Sequence, residues 1–164
     1  MPQLVKGGKH AFGWTRIGVG GELVLPPDAV AEYGFEEGER LILIPGSRTS
    51  GGFGLARVAS IDGSPMRAVL EAHPELAGQK WGAGEVVEQD GRVYCSAKLR
   101  LGRVSLSPDA LAAYGIAIGS KLLVIRGSGR ALGFAVRGPI LEEANRHLEL
   151  EVFDASEGQT YGER

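Results

Sequence analysis

Apolar and polar positions alternate along this chain in a way that is written twice. Short strand-like segments at residues 14–19 and 97–101 run into Gly20-Gly21 and Gly102, where a tight turn calls for positive φ, and return as Leu23–Leu25 and Val104–Leu106. A two-turn helix is predicted next, over Asp28–Tyr33 and Asp109–Tyr114. Ser107 suits its N-cap, Pro27 and Pro108 suit the first helical position, and Asp28 and Asp109 face the positive end of the helix dipole. Gly34 and Gly115 stop the helix, and Phe35 and Ile116 can fold back over it. The all-apolar runs Leu41–Ile44 and Leu122–Ile125 predict strands buried on both faces. A Gly/Ser-containing loop and a further strand around Phe53 or Phe134 follow, then helices beginning at Ser64 and Gly138.

Residues 21–56 lie over residues 102–137 without a gap at an offset of 81, and 15 of the 36 pairs are identical. Two copies are too few for an open solenoid, whose end faces would stay bare, so closure about a two-fold axis is expected. The division this implies is 1–76 for the first copy and its helix, 77–92 for a linker with a hairpin at Asp90-Gly91, 93–154 for the second copy and its helix, and 155–164 for a tail.

Composition narrows the class. With 164 residues and 43% hydrophobic side chains the chain can bury an ordinary core, and its 26 glycines sit between apolar runs as turn residues. Cys95 is the only cysteine, which excludes an internal disulfide framework or a four-cysteine zinc site and points to a reducing, cytoplasmic setting. Neither a signal-peptide pattern nor an apolar run long enough for a membrane helix is present, so no membrane partner is expected.

The net charge of −2 conceals an uneven distribution. Residues 1–21 carry Lys6, Lys9 and Arg16 with no acid, and residues 91–107 carry Arg92, Lys98, Arg100 and Arg103 with no acid, whereas residues 142–164 hold seven acids against two bases. Lys6, Lys9, Arg16, Lys98, Arg100 and Arg103 are therefore the candidate contacts to DNA phosphates. Phe12 and Trp14, beside them, are expected to pack into the core. The loops 46–52 and 127–133 bring together backbone amides, hydroxyls and an arginine, the raw material of an anion nest, with Ser47, Arg48, Ser50, Ser128 and Arg130 as candidate ligands. They lack the lysine and long helix of a nucleotide-hydrolysing loop. His73 and His147 stand at helix ends, where a protonated imidazole complements the dipole. No nucleophile-and-base order, carboxylate pair or metal-ligand spacing appears, so neither catalysis nor a cofactor is expected.

The stretch KLRLGRVSLSPDALAAYGIAIGSKLLVI from Lys98, with its counterpart RIGVGGELVLPPDAVAEYGFEEGERLILI from Arg16, resembles the SpoVT/AbrB family, the swapped-hairpin DNA-binding fold that includes MazE-like antitoxins. The resemblance implies a mainly β fold with short helices (α+β), in which two tandem swapped-hairpin repeats form a pseudo-dimeric β-barrel within one chain. It also implies a transcriptional regulator that grips duplex DNA through bases on the opening strand, after the turn glycine and on the short helix. Here those places hold Arg16 in the first copy and Ala97, flanked by Lys98 and Arg100, in the second; Glu22 and Arg103 after the glycine; and Val30, Ala31, Leu111 and Ala112 on the helices. The alternative is a module on the same scaffold that binds a small anion or a protein: a further copy of itself, or a toxin-like partner met by the acidic C-terminal segment.

Overall fold

The turn chemistry behaves as its residues dictate. The structure, a computed structural model, describes residues 3–5, 9–76, 86–127 and 130–155, with side chains from residue 10 onward. Ser107 accepts the Ala110 N–H at 3.1 Å and caps a helix over Pro108–Ala113, while the equivalent helix, Pro27–Tyr33, begins at Pro26 with no side-chain cap. Gly34 and Gly115 both take φ of 69° at the helix ends. Asp90 and Gly91, both at positive φ, form the hairpin that the dipeptide predicts.

In chain order the elements are β1 (Gln3–Val5), β2 (Lys9–Arg16), β3 (Glu22–Val24), α1 (Pro27–Tyr33), β4 (Arg40–Pro45), β5 (Phe53–Arg57), α2 (Val58–Asp62), α3 (Arg67–Ala72), β6 (Val86–Gln89), β7 (Arg92–Lys98), β8 (Arg103–Ser105), α4 (Pro108–Ala113), β9 (Lys121–Arg126), β10 (Ala131–Ala135), α5 (Pro139–Ala144) and β11 (Val152–Asp154). The fold is mainly β with a few short helices.

Strands of one copy pair with strands of the other. One sheet runs β1-β2-β9-β10-β5-β4-β7-β6, with β11 added in parallel to β2, and β3 pairs with β8 as a separate two-stranded ribbon. The opening strand β2 thus lies on β9 of the second copy, and the opening strand β7 lies on β4 of the first. Both copies repeat the same junction. Ile17 N–H donates to Ser120 O and Gly119 N–H to Ile17 O, as Leu99 N–H donates to Glu39 O and Gly38 N–H to Leu99 O. Two pairings sit at the middle of this pattern, Leu23 opposite Val104 and Gly54 opposite Gly133.

Two expectations are corrected. The sheet does not close into a barrel: its path ends at β1 and β6, and β3–β8 forms a ribbon of its own. The gapless offset also fails at both ends of the repeat. The junction hydrogen bonds set Ile17 against Leu99, an offset of 82, because the turn from Gly18 to Glu22 is one residue longer than that from Arg100 to Arg103. Beyond the loops, Pro45 opposite Phe53 answers to Arg126 opposite Leu132, an offset of 79. Phe53 and Phe134, aligned as counterparts in the sequence, instead face each other across β5 and β10 with ring centroids 4.7 Å apart and nearly parallel.

The main core lies between that sheet face and the ribbon with its helices: Phe53, Leu55, Leu132 and Phe134 meet Leu23, Leu25, Val104 and Leu106. On the opposite face, α2 and α3 cover Ile42, Ala56 and Tyr94, and α5 covers Ala11, Trp14, Leu123 and Ala135. Alternate residues of β4 and β9 therefore enter different clusters, as their unbroken apolar runs predict. The helix expected from Ser64 is shorter, with α2 already formed upstream at Val58 and a 3-10 turn at Pro74–Leu76 ending the segment.

Candidate nucleic-acid interface

Pairing puts the basic opening strands against further bases. Arg16 lies opposite Lys121, and Lys98 opposite Arg40. Like charges directly opposed destabilise a sheet, and in the first pair each base turns to a partner of its own. Arg16 turns to Asp154 on β11, Nε to Oδ2 at 3.2 Å, and donates from Nη1 to Gly119 O. Lys121 sets its Nζ 4.5 Å from the centroid of the Trp14 ring. Arg40 is buried and donates from Nη1 to Ser96 Oγ at 3.1 Å. Lys98 is half-buried and forms no ion pair among the described residues.

The second-copy turn presents two arginines side by side. Leu101 and Gly102 take φ of 52° and 75°, and Arg100 and Arg103 exchange two backbone hydrogen bonds of 2.9 Å, which sends both side chains to one face. Arg100 is exposed. Arg103 is held by Glu22, its own counterpart in the first copy: Arg103 pairs with Val24 and Glu22 with Ser105, and the long arginine side chain reaches diagonally across the ribbon to set Nη1 3.2 Å from Oε1. The tips of the turns expose Val19 and Leu101, at 81% and 87%. Phe12 and Trp14 are buried in the core. Lys6 and Ser128 lie outside the described residues, and of Lys9 only the backbone is described, in β2.

The first Gly/Ser loop is occupied with its own groups. Ser47 Oγ accepts the Ser50 N–H at 3.0 Å, Ser47 O accepts the Gly51 N–H, and Arg48 O accepts Nη2 of Arg137. Ser47 and Ser50 border a mostly apolar cavity of about 450 Å³ that reaches Ile44, Ile125 and Ala131. Arg130 is exposed and lines a different cleft with Arg57 and Arg126. Sequence reasoning passed over those two arginines, and also Arg40, Lys121 and Asp154. The Arg40/Lys121 correspondence within the repeat was the available signal for the first pair of these bases.

The histidines keep to local partners. His147 contacts Glu143 at 3.2 Å and Glu149 at 3.1 Å, and these carboxylates, Glu143 foremost, raise its pKa above the ordinary imidazole value. His73 Nε2 lies 3.0 Å from Gln89 Oε1. Cys95 is fully buried. Among the described residues no three metal-ligating side chains cluster, and no helix is long and apolar enough to cross a membrane. No protein-family profile, curated protein or solved structure matches the chain.

Proposed function

We propose that the two copies act as the halves of a dimer within one chain, and that this pseudo-dimer is a cytoplasmic regulator that binds duplex DNA without catalysis, as the SpoVT/AbrB resemblance implies. The observation that carries the reading is the exchange of opening strands, which gives Arg16 and Lys98 equivalent positions on the two halves and sets Arg100 and Arg103 beside the second. A duplex offers phosphates in a two-fold pattern, and paired basic strands suit it. The acids Asp154 and Glu22 moderate the attraction. Surface ion pairs are worth about 0–1 kcal/mol, so phosphates can displace them at small cost.

Fluorescence anisotropy with a short labelled duplex tests this. Four phosphate contacts predict a loss of affinity on the order of 100-fold between about 50 and 200 mM salt. Lys98→Ala and Arg100→Ala should each lower the salt slope by roughly one, and Glu22→Gln, which frees Arg103, should tighten binding. Absence of binding at about 50 mM salt, where attraction is strong, overturns the reading, as do Lys98 and Arg100 variants with an unchanged slope.

A further inference from the structure

The two opening strands differ at two matching places. At the offset of 82 that the junctions share, Gly13 stands where β7 has Cys95, and Gly18 stands where the second turn has Arg100. The C-terminal strand accounts for both. β11 runs parallel to β2 with Val152 opposite Trp14 and Asp154 opposite Arg16, and Glu151 O accepts the Trp14 N–H at 2.8 Å. A Cβ on Gly13 would stand 2.7 Å from Glu151 O and 3.1 Å from the Phe153 ring, and one on Gly18 would stand 2.8 Å from the Ala155 Cβ. Glycine at both positions is what lets the C-terminal strand approach so closely. β7 is flanked instead by β6, which runs antiparallel to it.

The strand therefore sits over the basic positions of the first half. Ala155 takes the space beside Gly18, where the second half carries the exposed Arg100, and Asp154 pairs with Arg16, the counterpart of Lys98. Phe153 and Ala155 are buried with Val24 in a cluster apart from the main core. A half-exposed ion pair alone yields readily to a competing anion, but Asp154 belongs to a strand that its two neighbours anchor. Phosphate displaces the carboxylate fully only when that strand lets go. At three residues, β11 is the kind of element that opens locally without global unfolding.

We propose that β11 is an autoinhibitory strand: docked, it holds Asp154 against Arg16 and covers the first opening strand, and its release opens that half to duplex DNA. The proposal rests on the DNA reading above. Gly18→Val, which drives a branched side chain into Ala155, and Phe153→Ser, which removes the anchor without adding bulk, each undock the strand, so one serves if the other fails to fold. Amide exchange reports undocking directly. The Trp14 amide, bonded to Glu151 O, should exchange about tenfold faster or more, while the Leu99 amide, bonded to Glu39 O at the other junction, stays protected. Anisotropy with the labelled duplex at about 50 mM salt should then show binding about fivefold tighter than wild type, the upper scale for one surface ion pair. Adding Arg16→Gln to either variant should abolish the gain. Fast Trp14 exchange with a Kd within about twofold of wild type overturns the proposal, as does Trp14 exchange unchanged in both variants. Absence of binding by wild type and both variants marks instead the failure of the DNA reading, and the proposal falls with it.

Discussion

Gly21 and Gly102 end the two opening turns at corresponding positions, and replacing each with Ala separates two costs. Both residues have positive φ, 79° and 75°, where an L side chain costs about 1–2 kcal/mol. Around Gly102 an added Cβ meets nothing within 4 Å, so Gly102→Ala should lose that amount and no more. Around Gly21 the same Cβ would stand 2.2 Å from Leu106 O and 3.3 Å from its carbonyl carbon. Relief of that clash must move backbone against backbone, where Gly21 O accepts the Leu106 N–H at 2.9 Å in a contact joining the two copies. Disrupting this buried hydrogen bond adds about 1–3 kcal/mol, for a total of about 2–5 kcal/mol in Gly21→Ala. Urea denaturation followed by circular dichroism gives both values under the same conditions. Two variants equal within about 0.5 kcal/mol, the usual scatter between independent sites, would refute the cross-copy contact as the source of the difference.

Ser107→Ala should destabilise by about 1 kcal/mol through loss of the α4 cap, and a urea midpoint unchanged from wild type would show the cap to be idle. For His147, whose pKa is raised in the fold, the stabilising interaction is fully present below the unfolded imidazole pKa and is lost as pH rises through the folded value. Glu143→Gln should shift the His147 NMR titration midpoint down toward the ordinary imidazole range; a midpoint that stays in place would remove Glu143 as the main cause.

Local chemistry was readable wherever a single residue type suffices: the Ser107 cap, the Gly34 and Gly115 helix ends, the Asp90-Gly91 hairpin and the apolar strands β4 and β9. Register was not, because identity between copies is blind to the change of offset at the turns. The segments FGLA from Phe53 and LGFA from Leu132 carry the correct offset of 79, with Gly54 matching Gly133, but two identities in four residues were outweighed by the Phe53/Phe134 coincidence. The barrel expectation failed because closure depends on where β1 and β6 end, which periodicity does not encode. The basic set is marked in the sequence by two acid-free segments and by the family resemblance. Its neutralising partners Asp154 and Glu22 became visible only through β11 and the ribbon, since both pairings join residues far apart in sequence.

Exchanged opening strands also constrain how the chain is made. During vectorial synthesis β2 emerges long before β9, the strand on which it docks, and β4 waits for β7. The first copy therefore passes through a period with open sheet edges and an uncovered apolar face, the condition under which nascent chains associate wrongly. Contacts of such long sequence separation also slow folding, because loop closure must precede the pairing that rewards it. A ribosome pause between the two copies would prolong the exposure, whereas rapid completion of the second copy would end it.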